Sequence, residues 1–193
     1  MPNSEDRRVR ITKMAIRDSL IELMEVHPIS KISVKLLCET ADINRSTFYA
    51  HYKDQYDLLR SVQQEIVVDV TKQIAPAHLS EVSDSAIAVL VKVLNYGRDN
   101  APLLKVLLSE HGDSSFQEEL MELAQEKLMD EFLKGDLLSA HTIEYLKHFA
   151  LGGFLNIMRL WLDNNCADEP EIVAELMMTL IVQGTAGLVN QSK

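Results

Sequence analysis

The sequence predicts an all-α protein in two parts, with about nine helices. Its apolar residues recur at helical spacing, three and four residues apart, along most of the chain. Only seven Gly and five Pro occur in 193 residues, and no alternating apolar–polar run bounded by turn signals suggests a sheet. With 47% hydrophobic residues the chain can bury a sizeable core, as one large domain or as a small one beside a larger one. The division expected is a three-helix helix-turn-helix domain over 1–53 and a helical bundle over 54–193.

Residues 1–7 are polar, and Arg7, Arg8 and Arg10 stand at the edge of the first helix. That helix is expected from about Val9 to Val26, with Ile11, Ala15, Ile16, Ser19, Leu20 and Leu23 inward. His27-Pro28 ends it, because proline disfavours the helical conformation of the residue before it. Ser33 caps the next helix, whose apolar face is Val34, Leu37, Cys38 and Ala41. Asp42-Ile43-Asn44 breaks the pattern. Asn44 caps a short third helix, Arg45 to His51, in which Phe48 is the core anchor. Its remaining face, Arg45, Ser46, Thr47, Tyr49 and His51, is polar, basic or aromatic. This is the form of a helix-turn-helix that docks its second helix in the major groove.

Asp54 then caps a helix expected to reach Ile74, with Asp57 in a near-capping-box position. Its length, roughly 30 Å, suits a lever between the two parts. Further helices are expected over 84–98, burying Ile87, Leu90, Val91 and Leu94, and from Pro102 to Leu108. A long one follows over 115–134, with Phe116, Leu120, Leu123, Leu128 and Phe132 inside and Gly135 ending it. The last two run from Ala140 to about Asn164 and from Pro170 to about Val189, the final one with Ile172, Leu176, Met177, Leu180 and Ile181 inside. Gly152-Gly153 falls mid-helix, where each glycine costs about 1 kcal/mol relative to alanine. The simplest compensation is the close approach of another helix.

The stretch SVKLLCETADINRSTFYAHYKDQYDLL resembles the DNA-binding signature of TetR/AcrR-type bacterial regulators. The aromatic run Phe48-Tyr49-Ala50-His51-Tyr52 is a close match. Cys38 stands for a usual Ala and Asp42 for a usual Gly, and Asp tolerates the left-handed conformation better than most residues. Gln55 stands where a Lys often opens the fourth helix, removing one phosphate contact. The resemblance implies that Tyr49, His51 and Lys53 contact phosphates. Arg45, Ser46 and Thr47, at the start of the third helix, reach base edges, with Arg45 pairing with guanine. Ser33, Lys35, Asn44 and Tyr52 complete the contact set, although core packing is the simpler role for Tyr52.

The net charge of −10 argues against a nucleic-acid partner until its distribution is considered. Residues 1–53 hold nine Lys/Arg against seven Asp/Glu; the remainder hold ten against 22. A duplex would therefore be faced by the first part and repelled by the second. No Gly-x-Ser-x-Gly, phosphate-cradling loop or Cys-x-x-Cys supports an enzyme, and no cofactor is implied. His141, Glu144 and His148 share a helical face, which reads as a polar stripe before a metal site, and no metal is expected. Two distant cysteines, Cys38 and Cys166, fit a reducing cytoplasm. The N-terminus lacks the apolar core of a signal peptide, and no stretch approaches a membrane span.

The resemblance also implies a small-molecule pocket among the C-terminal helices, for which Phe116, Met121, Phe132 and Phe149 are the lining candidates. Tyr96, Arg98 and Asn156 are the polar handles. The last two helices carry excess apolar surface, and a homodimer is expected through Phe154, Leu155, Met158, Leu162, Ile172, Met177, Leu180 and Gly184. The reading is a cytoplasmic regulator released from a near-palindromic double-stranded DNA operator by an unknown small-molecule effector. The alternative is a co-activator or adaptor whose helix-turn-helix binds a protein partner.

Overall fold

The computed structural model describes residues 4–74, 82–109, 112–125 and 139–191. The described residues form nine α-helices and no strand. In order these are α1 (Ser4–Met24), α2 (Val34–Thr40), α3 (Arg45–Tyr49), α4 (Gln55–Ile74), α5 (Val82–Asp99), α6 (Ala101–Leu107), α7 (Ser114–Ala124), α8 (Ala140–Asp163) and α9 (Pro170–Gln191). A short 3-10 turn, Ile29–Lys31, follows Pro28. The expected continuation of α7 through Leu128 and Phe132 to Gly135 lies outside the described residues. Contacts divide the chain into two compact units, Met1–Val67 with Val106–Phe116, and Val68–Lys105 with Gln117–Lys193.

In the first unit α2 packs on α1 and on α3. Ile16, Leu20 and Met24 of α1, Leu37 of α2, Phe48 of α3 and Leu58, Val62 and Ile66 of α4 are buried. Ser19 is buried among them, and its hydroxyl is satisfied by donating to the Ala15 carbonyl at 2.8 Å. Ile11, expected inward, is 54% exposed.

In the second unit α5 packs on both α8 and α9. The buried residues include Val89, Val93 and Leu94 of α5, Leu151, Leu155, Met158, Trp161 and Leu162 of α8, and Val173, Ala174, Met177 and Met178 of α9. Ile172, Leu176 and Leu180, expected inside, are instead exposed. Helix α9 is apolar on nearly every side, so its periodicity does not select a face. The close helix approach falls elsewhere than expected. A Cβ at Gly152 or Gly153 would meet nothing within 4 Å, whereas one at Gly97 would lie 3.3 Å from the Met158 sulfur.

The loop between α8 and α9 is tied down locally. The amide of Cys166 donates to the Trp161 carbonyl and that of Asn165 to the Leu162 carbonyl, both at 2.9 Å. This is a Schellman ending, with Asn165 at φ 55° and Cys166 at φ 52° in the left-handed region. Trp161 Nε1 donates to the Asp168 carbonyl at 2.9 Å, and Lys105 Nζ donates to Asn165 Oδ1 at 2.8 Å. Trp161 is therefore a structural anchor for the loop.

Candidate nucleic-acid interface and effector cavity

The helix-turn-helix is held by its own short-range bonds. Ser33 Oγ accepts from the Leu36 amide at 3.2 Å and caps α2. At the other end the Ile43 amide reaches back to the Cys38 carbonyl at 3.0 Å, and Asp42 takes φ 51°. That is again the Schellman pattern, with Asp42 in the position where glycine is usual. The aspartate departure in the motif therefore keeps the turn. Cys38 is buried, and burial pushes its thiol above its ordinary range, against the lowering effect of Arg45. It serves as a small apolar side chain in the place of alanine.

Asn44 organises the start of α3. Its Oδ1 accepts from the Thr47 amide at 2.8 Å, the Ser46 hydroxyl at 2.6 Å and the Thr47 hydroxyl at 2.9 Å. A backbone N–H can only donate, so the atom it meets must be the amide oxygen, and both hydroxyl hydrogens are then committed to it. Ser46 and Thr47 are left with lone pairs, which accept. Arg45 and Ser46 are exposed and Thr47 half-buried.

Phe48 is fully buried and supports the ring face of the motif. Tyr49 meets it edge-on, centroids 5.7 Å apart, while remaining 57% exposed. Tyr52, counted among the contact residues from sequence, is only 8% exposed and packs on Phe48 at 5.8 Å. Burial, with the Glu65 charge, raises its phenol above the usual range despite Arg17 and a hydrogen bond with Ser61. Its place is the core. His51 is half-buried beside it. Lys53 is exposed, and its amide donates to Asp57 Oδ2 at 2.9 Å while the Asp57 amide donates to Asp54 Oδ1 at 2.8 Å. The two aspartates thus fix the entry to α4 and hold the Lys53 backbone in place. Lys35 is exposed and pairs with Glu39 at 3.7 Å, a surface pair that screens part of its charge.

The second unit contains a cavity of about 300 Å³ between α5, α7, α8 and α9. Phe149, Phe154 and Ile157 line it from α8, and Met177, Met178 and Ile181 from α9; Ala86, Leu90 and Ala124 close the α5 and α7 sides. Of the expected ligand residues, Phe149 lies on this cavity. Phe116 is buried in the other unit, and Phe132 lies outside the described residues. Tyr96 and Met121 are half-buried and do not line it. Arg98 is turned to Glu169 at 3.3 Å and Asn95 at 2.7 Å, and Asn156 to the Gly152 carbonyl at 2.8 Å. The methionine pair of α9 and the small residues of α8 were missed. The available signal was the second apolar face of α8, residues 149, 150, 153, 154 and 157, opposite the core face.

The residues expected at a dimer interface separate into two groups. Leu155, Met158, Leu162 and Met177 are buried within one chain, and Phe154 lines the cavity. Ile172 and Leu180 are exposed, together with Tyr145, Phe149, Leu160 and Leu176; Gly184 lies on α9. Among the described residues no three His, Cys, Asp or Glu side chains gather as a metal site, and His141, Glu144 and His148 are each exposed on α8. No described helix is long and apolar enough to cross a membrane.

A capped helix-turn-helix among described residues that are otherwise all helical is the form of a DNA-binding transcriptional regulator. Residues 84–183, more than half the chain, match a family model described as the C-terminal region of transcriptional regulators of the TetR type, and the chain belongs to the TetR family of transcriptional regulators. It is 24% identical over 176 residues to the uncharacterized HTH-type transcriptional regulator YxbF of Bacillus subtilis (strain 168). That alignment covers 88% of this chain and 44% of the relative, so the chain spans less than half that relative's length. A TetR-like transcriptional regulator from Rhodococcus sp. RHA1 shares the fold with a TM-score of 0.70 and 15% identity, over 91% of this chain and 96% of that one. The transcriptional regulator FadR from Bacillus subtilis, solved in complex with stearoyl-CoA, shares it with a TM-score of 0.63 and 13% identity, over 89% and 98%.

Proposed function

We propose that this protein is a sequence-specific DNA-binding regulator that works as a homodimer in the cytoplasm, represses from a near-palindromic operator and is released by a small-molecule effector. It has no enzymatic role in this reading. The observation that carries it is the exposed polar face of α3, set by the Asn44 cap over a buried Phe48. Residues 1–53 act as the DNA-binding domain and 54–193 as the sensing and pairing domain.

Arg45 reads guanine through O6 and N7. Ser46 and Thr47, whose hydroxyl hydrogens go to Asn44, read bases that offer an amine, cytosine N4 or adenine N6. Tyr49, His51, Lys53, Lys35 and the Ser33 end of α2 position the motif on phosphates. Two copies pair through the exposed apolar residues of α8 and α9, Tyr145, Ile172, Leu176 and Leu180 among them. That pairing sets two recognition helices roughly 34–36 Å apart. FadR of Bacillus subtilis is solved in complex with stearoyl-CoA, which supports a small-molecule effector for this fold. The effector releases DNA to the extent that it binds the non-DNA arrangement more tightly.

The test is fluorescence anisotropy of the purified protein on its own promoter fragment and on scrambled duplex, across a salt series. The expected result is tighter binding to the promoter fragment, weakening as salt rises because counterions are released. Equal, weak binding to both duplexes would remove the reading and favour an adaptor.

A further inference from the structure

We infer that the cavity of the second unit takes a compact, uncharged apolar molecule and rejects carboxylates, phosphates and ammonium ions of the same chain length. This rests on the ligand-sensing reading above and narrows it to a chemical class.

All thirteen described lining residues are apolar. A charged group entering among them would lose its hydration and find no partner, which costs far more than an apolar group gains there. Among the described residues no charged side chain lines the cavity. Arg98 is engaged by Glu169 and Asn95, and Asn156 by its own helix. Arg159 donates to Gln117 and does not line the cavity. Size points the same way. About 300 Å³ lies at the lower end of ligand pockets, which span roughly 300–1,000 Å³. Such a space suits a single small hydrocarbon body and not a whole nucleotide thioester. Phe149 lines the cavity and is itself 76% exposed, so a polar neutral end stays in water beside it while the apolar body is buried. Met177 and Met178 give the wall adaptable side chains, which favours a class of shapes over one outline.

Gly153 supplies the control. It lines the cavity, and a Cβ added there meets nothing within 4 Å. Gly153→Leu therefore starts into open space at its Cβ and is expected to occupy part of the site.

Isothermal titration of the full chain at neutral pH with 1-decanol, decanoate and decyltrimethylammonium tests the inference. The account expects 1-decanol to bind at least about tenfold tighter than either ion. Decanoate should gain affinity as pH falls through its carboxyl pKa, while 1-decanol does not change. Gly153→Leu should abolish 1-decanol binding with its helical circular dichroism retained. Equal or tighter binding of either ion, no binding of 1-decanol, or undiminished binding to a folded Gly153→Leu protein would each overturn the inference. Operator release is read separately by anisotropy. Selective 1-decanol binding that leaves the DNA complex intact keeps the inference and removes ligand release. Release by decanoate alone does the reverse.

Discussion

Around α2 and α3 four helix ends are closed by a side chain or a left-handed turn: Ser33 on Leu36, Asp42 beneath the Ile43–Cys38 bond, Asn44 on Thr47, Asp54 on Asp57. The apolar residues there are nearly all inside, and what faces water is Arg45, Ser46, Tyr49 and Lys53. Along α8 and α9 the arrangement is reversed. Tyr145, Phe149, Leu160, Ile172, Leu176 and Leu180 stand in water, and a cavity lies between the helices. One region fixes polar groups in a set geometry; the other leaves apolar surface and space to be filled. The first is suited to reading a rigid partner, the second to accepting a small molecule and a second copy.

Substitutions can break this contrast, beginning with the largest effect. Phe48→Ala removes the one fully buried anchor of α3 and should cost about 3–5 kcal/mol in chemical unfolding, with loss of operator binding. A cost under 1 kcal/mol would mean that α3 stands without its core. Leu176→Asp places a charge on the exposed apolar face and should weaken self-association by about 3 kcal/mol in sedimentation equilibrium, while monomer helicity is kept. Unchanged association would put pairing on another face.

Finer substitutions sharpen the N-terminal half. Arg45→Ala should lose about 1–3 kcal/mol of discrimination at one base pair of each half-site, measured against single-base operator variants. A uniform loss over all variants would reassign Arg45 to phosphate. Asn44→Ala should cost about 1 kcal/mol of stability and also blur the choice at the bases facing Ser46 and Thr47, because their hydroxyls are freed to donate. The smallest effect is expected in the other half. Gly152→Ala should raise stability by up to about 1 kcal/mol in urea unfolding, since its Cβ meets nothing within the chain. A decrease would place a partner helix against that glycine.

The same contrast explains what was legible in the sequence. The helix-turn-helix rests on neighbours within five residues: Ser33 to Leu36, Cys38 to Ile43, Asn44 to Thr47. Residue types at fixed offsets encode such bonds directly, so caps, turn and Phe48 could be named in advance. Tyr52 stands in the contact set of the family motif, but the core role that is simpler for it is the one it takes, packed on Phe48. In the bundle, burial depends on helices far apart in the chain. Helix α9 offers apolar residues on all sides, so Ile172, Leu176 and Leu180 read as core although Val173, Ala174, Met177 and Met178 fill it. Gly152-Gly153 signalled a close approach that the chain makes at Gly97 instead. A cavity is the absence of side chains, and no single residue announces it. Phe149 was found because it is aromatic, Met177 and Met178 only once the helices were in place.

The central claim is that α3 reads a two-fold DNA sequence. Selection of bound duplexes from a random pool by the purified protein tests it most directly. The account predicts an enriched near-palindrome with half-sites about one helical turn apart, a guanine in each half, and amine-bearing bases opposite Ser46 and Thr47. A pool that stays random after repeated rounds, while Arg45→Ala and wild-type protein bind it equally, would contradict it.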